Sequence, residues 1–307
     1  MKYNKIANTD LNVSALTLGT WVLGGDMWGG ASTDQGISAV HAALDCGINM
    51  IDTAPIYGFG RSEEIVGRAI KGQRDKIMIA TKCGLLISGK RIINDLSPQS
   101  IAREIDLSLK RLRTDYIDLY QCHWPDPNTP VEKTMEALSH LIEQRKIRYV
   151  GVSNFDHDLI RKAHSLIPIV TTQNHYSMLE RSVEKTLLPY CRETGCALLA
   201  YGPLAGGILT GKYTQEALFP KNDARSFFYK HYSGKAFRQV QILLNELKNF
   251  NRPLNQIAIN WVRQQSPVAS VLVGSRNPEQ VQSNASAIGW DLTPDQLDRI
   301  TAHLQSP

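Results

Sequence analysis

No run of 18 consecutive apolar residues occurs anywhere in the 307-residue chain, so no segment is long enough to cross a bilayer as a helix. The first eight residues, Met1-Lys-Tyr-Asn-Lys-Ile-Ala-Asn, lack the apolar stretch of a secretory leader, and the expected location is cytoplasmic. Cysteine is scarce. Cys46, Cys83, Cys122, Cys191 and Cys196 form neither a paired framework nor a set with metal-ligand spacing. They read as small buried hydrophobes in a reducing compartment, and no metal is expected. A charge excess is also missing: the net charge is +5, with Lys and Arg dispersed among acids. That argues against a nucleic-acid stripe but suits a small anionic ligand. Two nucleotide fingerprints are incomplete. Gly19-Thr-Trp-Val-Leu-Gly24-Gly25 follows a strand pattern but is not G-x-G-x-x-G. Gly206 to Lys212 fits G-x-x-x-x-G-K, yet Tyr213 stands where a P-loop needs Ser or Thr. The glycines from 202 to 211 still allow close backbone approach to a phosphate.

What is present is ordinary globular composition, 42% apolar and 21% charged. The length suits two average domains or one large barrel. Tyr3 to Ile6 and Val13 to Leu16 flank a turn-prone stretch and predict a hairpin. Eight strand-then-helix units follow. The strands are expected at Ala15–Leu18, Ile48–Ile51, Ile77–Thr81, Tyr116–Cys122, Tyr149–Val152, Ile169–Thr172, Ala197–Tyr201 and Val268–Val273. Ser32 with Gln35 and Thr129 with Glu132 fit capping boxes, and Ser97-Pro98 and Asn277-Pro278 fit cap-then-proline starts. Ser62 offers a hydroxyl to cap another helix. Thr293-Pro-Asp-Gln296 opens one extra helix near the C-terminus. With no composition break, the pattern predicts one α/β domain over residues 1–307, a (β/α)8 TIM barrel rather than a doubly wound open sheet. Polar residues end strands along the whole chain, and a barrel gathers all eight strand ends at one mouth, whereas an open sheet has one switch point.

The chemistry centres on Gly47 to Gly60. A buried strand ends on Asp52, and a loop with Pro55, Gly58 and Gly60 presents Tyr57. Lys82 and His123 close two later strands. Singly, these residues have ordinary readings as an ion pair, a packed loop tyrosine and a strand-end histidine. Together they suit proton transfer to a carbonyl oxygen. A free tyrosine ionises near pH 10 and is a reluctant acid. An ammonium beside it stabilises the phenolate and eases proton release. A buried lysine in turn needs a counter-charge, which Asp52 supplies. His123 can donate a hydrogen bond to the developing negative oxygen.

Asp52-Thr-Ala-Pro-Ile-Tyr57-Gly, Ala80-Thr-Lys82, Gln121-Cys-His123-Trp124, Gly151-Val-Ser-Asn-Phe155 and Gly274-Ser-Arg276 occur in that order. This series resembles the aldo-keto reductases, more closely the bacterial members similar to inositol-associated and general stress oxidoreductases. The resemblance implies a (β/α)8 barrel with an N-terminal hairpin across its bottom and reduction of aldehydes or ketones by NADPH. It implies Tyr57 as general acid and His123 as the group that orients the carbonyl. It assigns Ser153, Asn154 and Gln173 to the nicotinamide carboxamide and Tyr201 to stacking on the ring. Pro203, Leu204, Gly206, Gly207 and Ile208 would border the pyrophosphate, and Gly19, Thr20 and Trp21 would also touch the cofactor. Gly274, Ser275 and Arg276, before a helix start, would meet the adenosine 2′-phosphate. Asn284 would contact adenine. Relatives often carry a basic residue at Gln280 and an acid at Ser283, so the phosphate preference expected here is smaller.

Trp21, Trp28, Trp124 and the cluster Phe227-Phe228-Tyr229 lie on loops after strands and suggest an apolar substrate pocket. The long, mixed segment from Gly211 to Lys235 suggests a lid. A monomer acting on a small carbonyl compound is the expectation. The alternative, suggested by the potassium-channel β-subunits that resemble this family, is a nucleotide-sensing, non-catalytic subunit on the same fold.

Overall fold

A computed structural model of the protein describes residues 1–25, 27–89 and 91–305. Two short strands come first, β1 (Tyr3–Lys5) and β2 (Asn12–Ser14), paired antiparallel with Tyr3 opposite Ser14. Thr9 closes the turn between them: its hydroxyl donates to Ile6 O, and its oxygen accepts from Leu11 N–H. Three barrel strands follow, β3 (Leu16–Gly19), β4 (Met50–Asp52) and β5 (Met78–Cys83). A second antiparallel hairpin, β6 (Leu85–Ser88) with β7 (Arg91–Asn94), comes next. The barrel then continues through β8 (Ile117–Cys122), β9 (Ile147–Ser153), β10 (Ile169–His175), β11 (Ala197–Tyr201) and β12 (Val268–Gly274). Every barrel strand pairs in parallel with its neighbours, and β12 joins β3 to close the ring.

Strand alternation divides the core in two. On each strand one parity points outward: Ile51, Ile79, Tyr120 and Val150 face the outer helices in one large cluster. Met50, Ala80, Leu119, Leu199 and Leu272 fill the barrel interior together with Ile6, Leu11 and Val13 of the first hairpin. The hairpin plugs the bottom of the barrel for that reason: its apolar side completes an interior the strands alone leave open. Two residues further along three of these strands, β4, β5 and β8, the inward positions become polar. After Met50 comes Asp52, after Ala80 comes Lys82, and after Leu119 come Gln121 and then His123. Cys83 and Cys122 fall on the opposite parity, buried against the helices, as alternation predicts for Cys122.

Most predicted caps form. Ser32 and Gln35 make a reciprocal box, Ser97 caps Pro98–Leu112, Asn277 caps Pro278–Ala285, and Thr293 with Gln296 exchange two hydrogen bonds. Two do not. The helix Val131–Glu143 starts after Pro130 without a side-chain cap, because the Thr129 hydroxyl donates instead to Asp126 at 2.6 Å. Ser62 lies inside the helix Arg61–Ala69, whose cap is the left-handed Gly60 (φ 94°). Its hydroxyl reaches back to Thr20 O at 3.0 Å and ties the loop after β3 to the loop after β4. Within the expected lid, a short helix, Ala224–Phe228, joins the mouth through Ala224 N–H donating to Met27 O at 2.8 Å.

Candidate active site

At the C-terminal end of the barrel Lys82 is fully buried. Its ammonium donates to Asp52 Oδ1 at 2.6 Å and Thr53 O at 2.9 Å, and lies 3.4 Å from the Tyr57 hydroxyl. Burial pulls the Lys82 pKa down, and the Asp52 carboxylate works against that pull. Asp52 is itself 3% exposed. Its second oxygen accepts from Gln173 Nε2 at 2.8 Å and Gln121 Nε2 at 3.3 Å, and Gln173 Nε2 also reaches Gln121 Oε1 at 3.3 Å. The carboxylate is thus held by groups from β5, β8 and β10 together.

The Tyr57 ring lies between Trp21, stacked at 5.6 Å, and His123, edge-on at 5.7 Å. Burial holds the His123 pKa well below its ordinary value, and the Lys82 charge lowers it further. The imidazole is therefore neutral at physiological pH, with one N–H to donate. Trp28 and Phe228 pack edge-on against Trp21, at 5.5 and 5.7 Å.

These residues line a cavity of about 1410 Å³ that runs from Asp52 and Tyr57 to Arg276 and Asn284. A drug-sized ligand needs roughly 300–1,000 Å³, so there is room for a larger molecule with a second beside it. Gly202, Gly206 and Gly207 border it with positive φ (71°, 70° and 99°) and bring bare backbone to its edge. Two buried polar atoms of lining residues, Trp28 Nε1 and His175 Nε2, have no partner among the described residues. A polar ligand would satisfy them. A nicotinamide dinucleotide fits this donor set, this length and this glycine edge. Among the described residues no group of three or more His, Cys, Asp or Glu side chains could hold a metal.

Of the residues singled out from sequence, Gly19, Thr20, Trp21, Ser153, Asn154, Gln173, Tyr201, Pro203, Leu204, Gly206, Gly207, Gly274, Arg276, Gln280 and Asn284 border this cavity, as do Trp28, Trp124 and Phe228. Ser153, Asn154 and Tyr201 are linked: the Tyr201 hydroxyl donates to Asn154 Oδ1 at 2.9 Å, and Asn154 Nδ2 donates to Ser153 Oγ at 3.0 Å. Asp52, Tyr57 and His123 border the cavity too, whereas Lys82, behind Asp52 and Tyr57, and Ile208 and Ser275 do not. Ile208 is fully buried in the outer core, because Gly206 and Gly207 turn the chain before it. Ser275 is 2% exposed, and its Oγ accepts from Asn284 Nδ2 at 3.1 Å. Arg276 spans the cavity edge, donating to Trp28 O at 2.6 Å, while Gln280 Oε1 accepts from Arg276 N–H.

Three features were not read from the sequence. Gln121 faces Asp52, which strand parity between Leu119 and His123 would have shown. His175, stacked on Tyr201 at 5.3 Å and kept neutral by burial, ends β10 two residues beyond Gln173. The β6–β7 hairpin has a turn dipeptide, Ser88-Gly89, between the apolar runs Leu85-Leu86-Ile87 and Ile92-Ile93, a usable signal.

Known proteins agree with this architecture. The Aldo/keto reductase family profile matches residues 15–305. The aldo-keto reductase YhdN of Bacillus subtilis is 39% identical, covering 100% of this chain and 94% of its own length. The NADH-specific methylglyoxal reductase of Escherichia coli is 35% identical over 95% of each chain. The solved glycerol dehydrogenase of Gluconobacter oxydans superposes with a TM-score of 0.91 at 38% identity, covering 99% of this chain and 95% of that one. A closed parallel barrel with a basal hairpin, matched by profile, sequence and structure along nearly its whole length, belongs to the aldo/keto reductase family of oxidoreductases.

Proposed function

We propose that this protein reduces aldehydes and ketones to alcohols with NADPH, Tyr57 acting as the general acid. The observation that carries the reading is Lys82 Nζ, buried behind the cavity wall, held between Asp52 Oδ1 at 2.6 Å and the hydroxyl of Tyr57 at 3.4 Å, both lining residues. The ammonium favours the phenolate over the phenol, so Tyr57 gives its proton more readily to the oxygen becoming an alkoxide. Asp52 keeps Lys82 charged against the desolvation that would neutralise it. Neutral His123 donates its single N–H to the same oxygen and stabilises charge as it develops. Trp21, Trp28, Phe228 and Trp124 give the carbonyl carbon's substituents an apolar surround.

Bound nicotinamide cofactor supplies the hydride. Ser153, Asn154 and Gln173 would hold its carboxamide, with Tyr201 against the ring. The segment from Pro203 to Gly207 would border the pyrophosphate, and Gly19, Thr20 and Trp21 would also touch the cofactor. Arg276 supports NADPH over NADH, since a guanidinium suits a phosphate dianion; Asn284 would meet adenine. The same reading takes residues 1–307 as one catalytic domain, monomeric and cytoplasmic, which sedimentation at 34.3 kDa would test.

Oxidation of NADPH by the purified protein with a panel of aldehydes tests the reaction. Tyr57→Phe should keep NADPH affinity and lower turnover by about 10²–10⁴-fold, the usual contribution of positioned proton transfer. An unchanged rate would mean the proton comes from elsewhere. Tight NADPH binding with no aldehyde turned over would favour the nucleotide-sensing alternative.

A further inference from the structure

The β6–β7 hairpin turns an apolar face to the cavity. Its register sets Leu85 opposite Asn94 and Ile87 opposite Ile92. Alternation puts those four residues on one side, and all four border the cavity, whereas Leu86 and Ile93 do not. Ile87 is 46% exposed and Ile92 56%; on two other loops around the same opening Phe59 is 69% exposed and Trp124 37%. One exposed apolar side chain means little. Four of them on three loops, continuous with the wall carrying Tyr57 and His123, form a surface. That surface is anchored. Asn94 Nδ2 donates to Pro125 O at 2.6 Å beside Trp124, Asp95 N–H donates to Gly84 O at 3.1 Å, and Gly84 N–H donates to Glu104 Oε1 at 3.0 Å. Arg91 also borders the cavity, but it is exposed, so water competes for any anion beside it.

We propose that this hairpin, with Phe59 and Trp124, is an outer apolar subsite that takes the hydrocarbon tail of the carbonyl substrate. It selects aldehydes and ketones with chains of about six carbons over three-carbon ones. This rests on the reductase reading, which puts the carbonyl at Tyr57. Full burial of a methylene changes affinity about fourfold. A wall on one side removes about half of that exposure to water, so the expected gain is about twofold per methylene. Three methylenes, from propanal to hexanal, give close to tenfold.

The test measures kcat/KM for propanal to hexanal. In parallel, the affinity of the non-reducible amides propanamide to hexanamide is read from quenching of the native tryptophan fluorescence. Both series should rise about twofold per methylene. The double substitution Ile87→Ser, Ile92→Ser should bring the hexanal-to-propanal ratio and the amide slope down toward one, with NADPH binding reporting that the fold survives. If that variant does not fold, Phe59→Ala on a separate loop should lower the same slope. A flat amide series in the native protein, or a slope that survives these substitutions, overturns the proposal. An amide slope without turnover of any aldehyde supports the subsite and counts against the reductase reading instead.

Discussion

Replacing Asp52 with Asn removes one charge and almost no volume, yet the surroundings leave the amide no good orientation. One Asp52 oxygen accepts from the Lys82 ammonium at 2.6 Å; the other accepts from Gln173 and Gln121 amide nitrogens at 2.8 and 3.3 Å. Whichever way the new amide turns, its NH2 meets a donor. Lys82, fully buried, also loses its counter-charge. Breaking a buried pair by removing one partner costs about 3–5 kcal/mol. At about 2–4 °C per kcal/mol for a large domain, the expected fall in Tm is about 10 °C at pH 7. The sign with pH follows from Lys82. Burial already lowers its pKa, and loss of Asp52 lowers it further. Between the depressed folded value and the unfolded value near 10.4, the unfolded chain binds more protons. Stability of Asp52→Asn therefore rises with pH across that window, and the deficit should shrink from pH 7 to pH 9.5. Adding Lys82→Met replaces the orphaned ammonium with an apolar chain and should restore most of the Tm without restoring NADPH oxidation. Calorimetry of the native, single and double variants at both pH values measures this. A single variant within about 1 kcal/mol of the native protein, or a double variant no more stable than the single one, would refute the reasoning.

Burial raises the Glu104 pKa to about 7 from 4.5; the folded protein keeps a proton that the unfolded chain has released, so stability is lost as pH climbs through that window, by about 3 kcal/mol. Glu104→Gln should gain roughly that much at pH 8 and little at pH 4.5, and equal Tm differences at both values would mean ionisation is not involved. Arg276→Ala should raise the NADPH Kd about 10- to 150-fold, the worth of a charge-assisted hydrogen bond of about 1.5–3 kcal/mol, and leave NADH within a few-fold. Equal losses for both would mean that Arg276 acts only by tethering the Trp28 loop through its 2.6 Å hydrogen bond.

The barrel was legible because its strands are short, largely apolar runs, and those that carry the site end on a polar residue of inward parity. Counting by two from Met50, Ala80 and Leu119 brings Asp52, Lys82, Gln121 and His123 to the same end of the same interior. The sequence is silent on which partner a flexible polar side chain selects. Thr129 was as good a cap as Ser32 by pattern, but Asp126 lay three residues away to take its hydroxyl. Gln173 had the right chemistry to receive a carboxamide, and its amide nitrogen turns to Asp52. The Arg276 to Trp28 link joins residues 248 apart in the chain, and no local pattern foretells it. Ile208 sits among cavity residues in sequence, yet two left-handed glycines rotate it into the core.

Energetics explain why the buried pair stands out. Removing an ammonium and a carboxylate from water costs several kcal/mol each, and an apolar pair of similar volume is often as stable or more so. The barrel holds itself together elsewhere, through the outer cluster between strands and helices and the inner one that the basal hairpin completes. Lys82 and Asp52 are therefore a poor device for stability but a good one for fixing a charge 3.4 Å from a single hydroxyl. The two glutamine amides fit the same logic, because they hold the carboxylate from behind without adding a competing charge. If stability were the purpose, the Asp52→Asn, Lys82→Met protein would lose nothing that matters. If the purpose is the hydroxyl, it would fold, bind NADPH and fail to reduce a carbonyl.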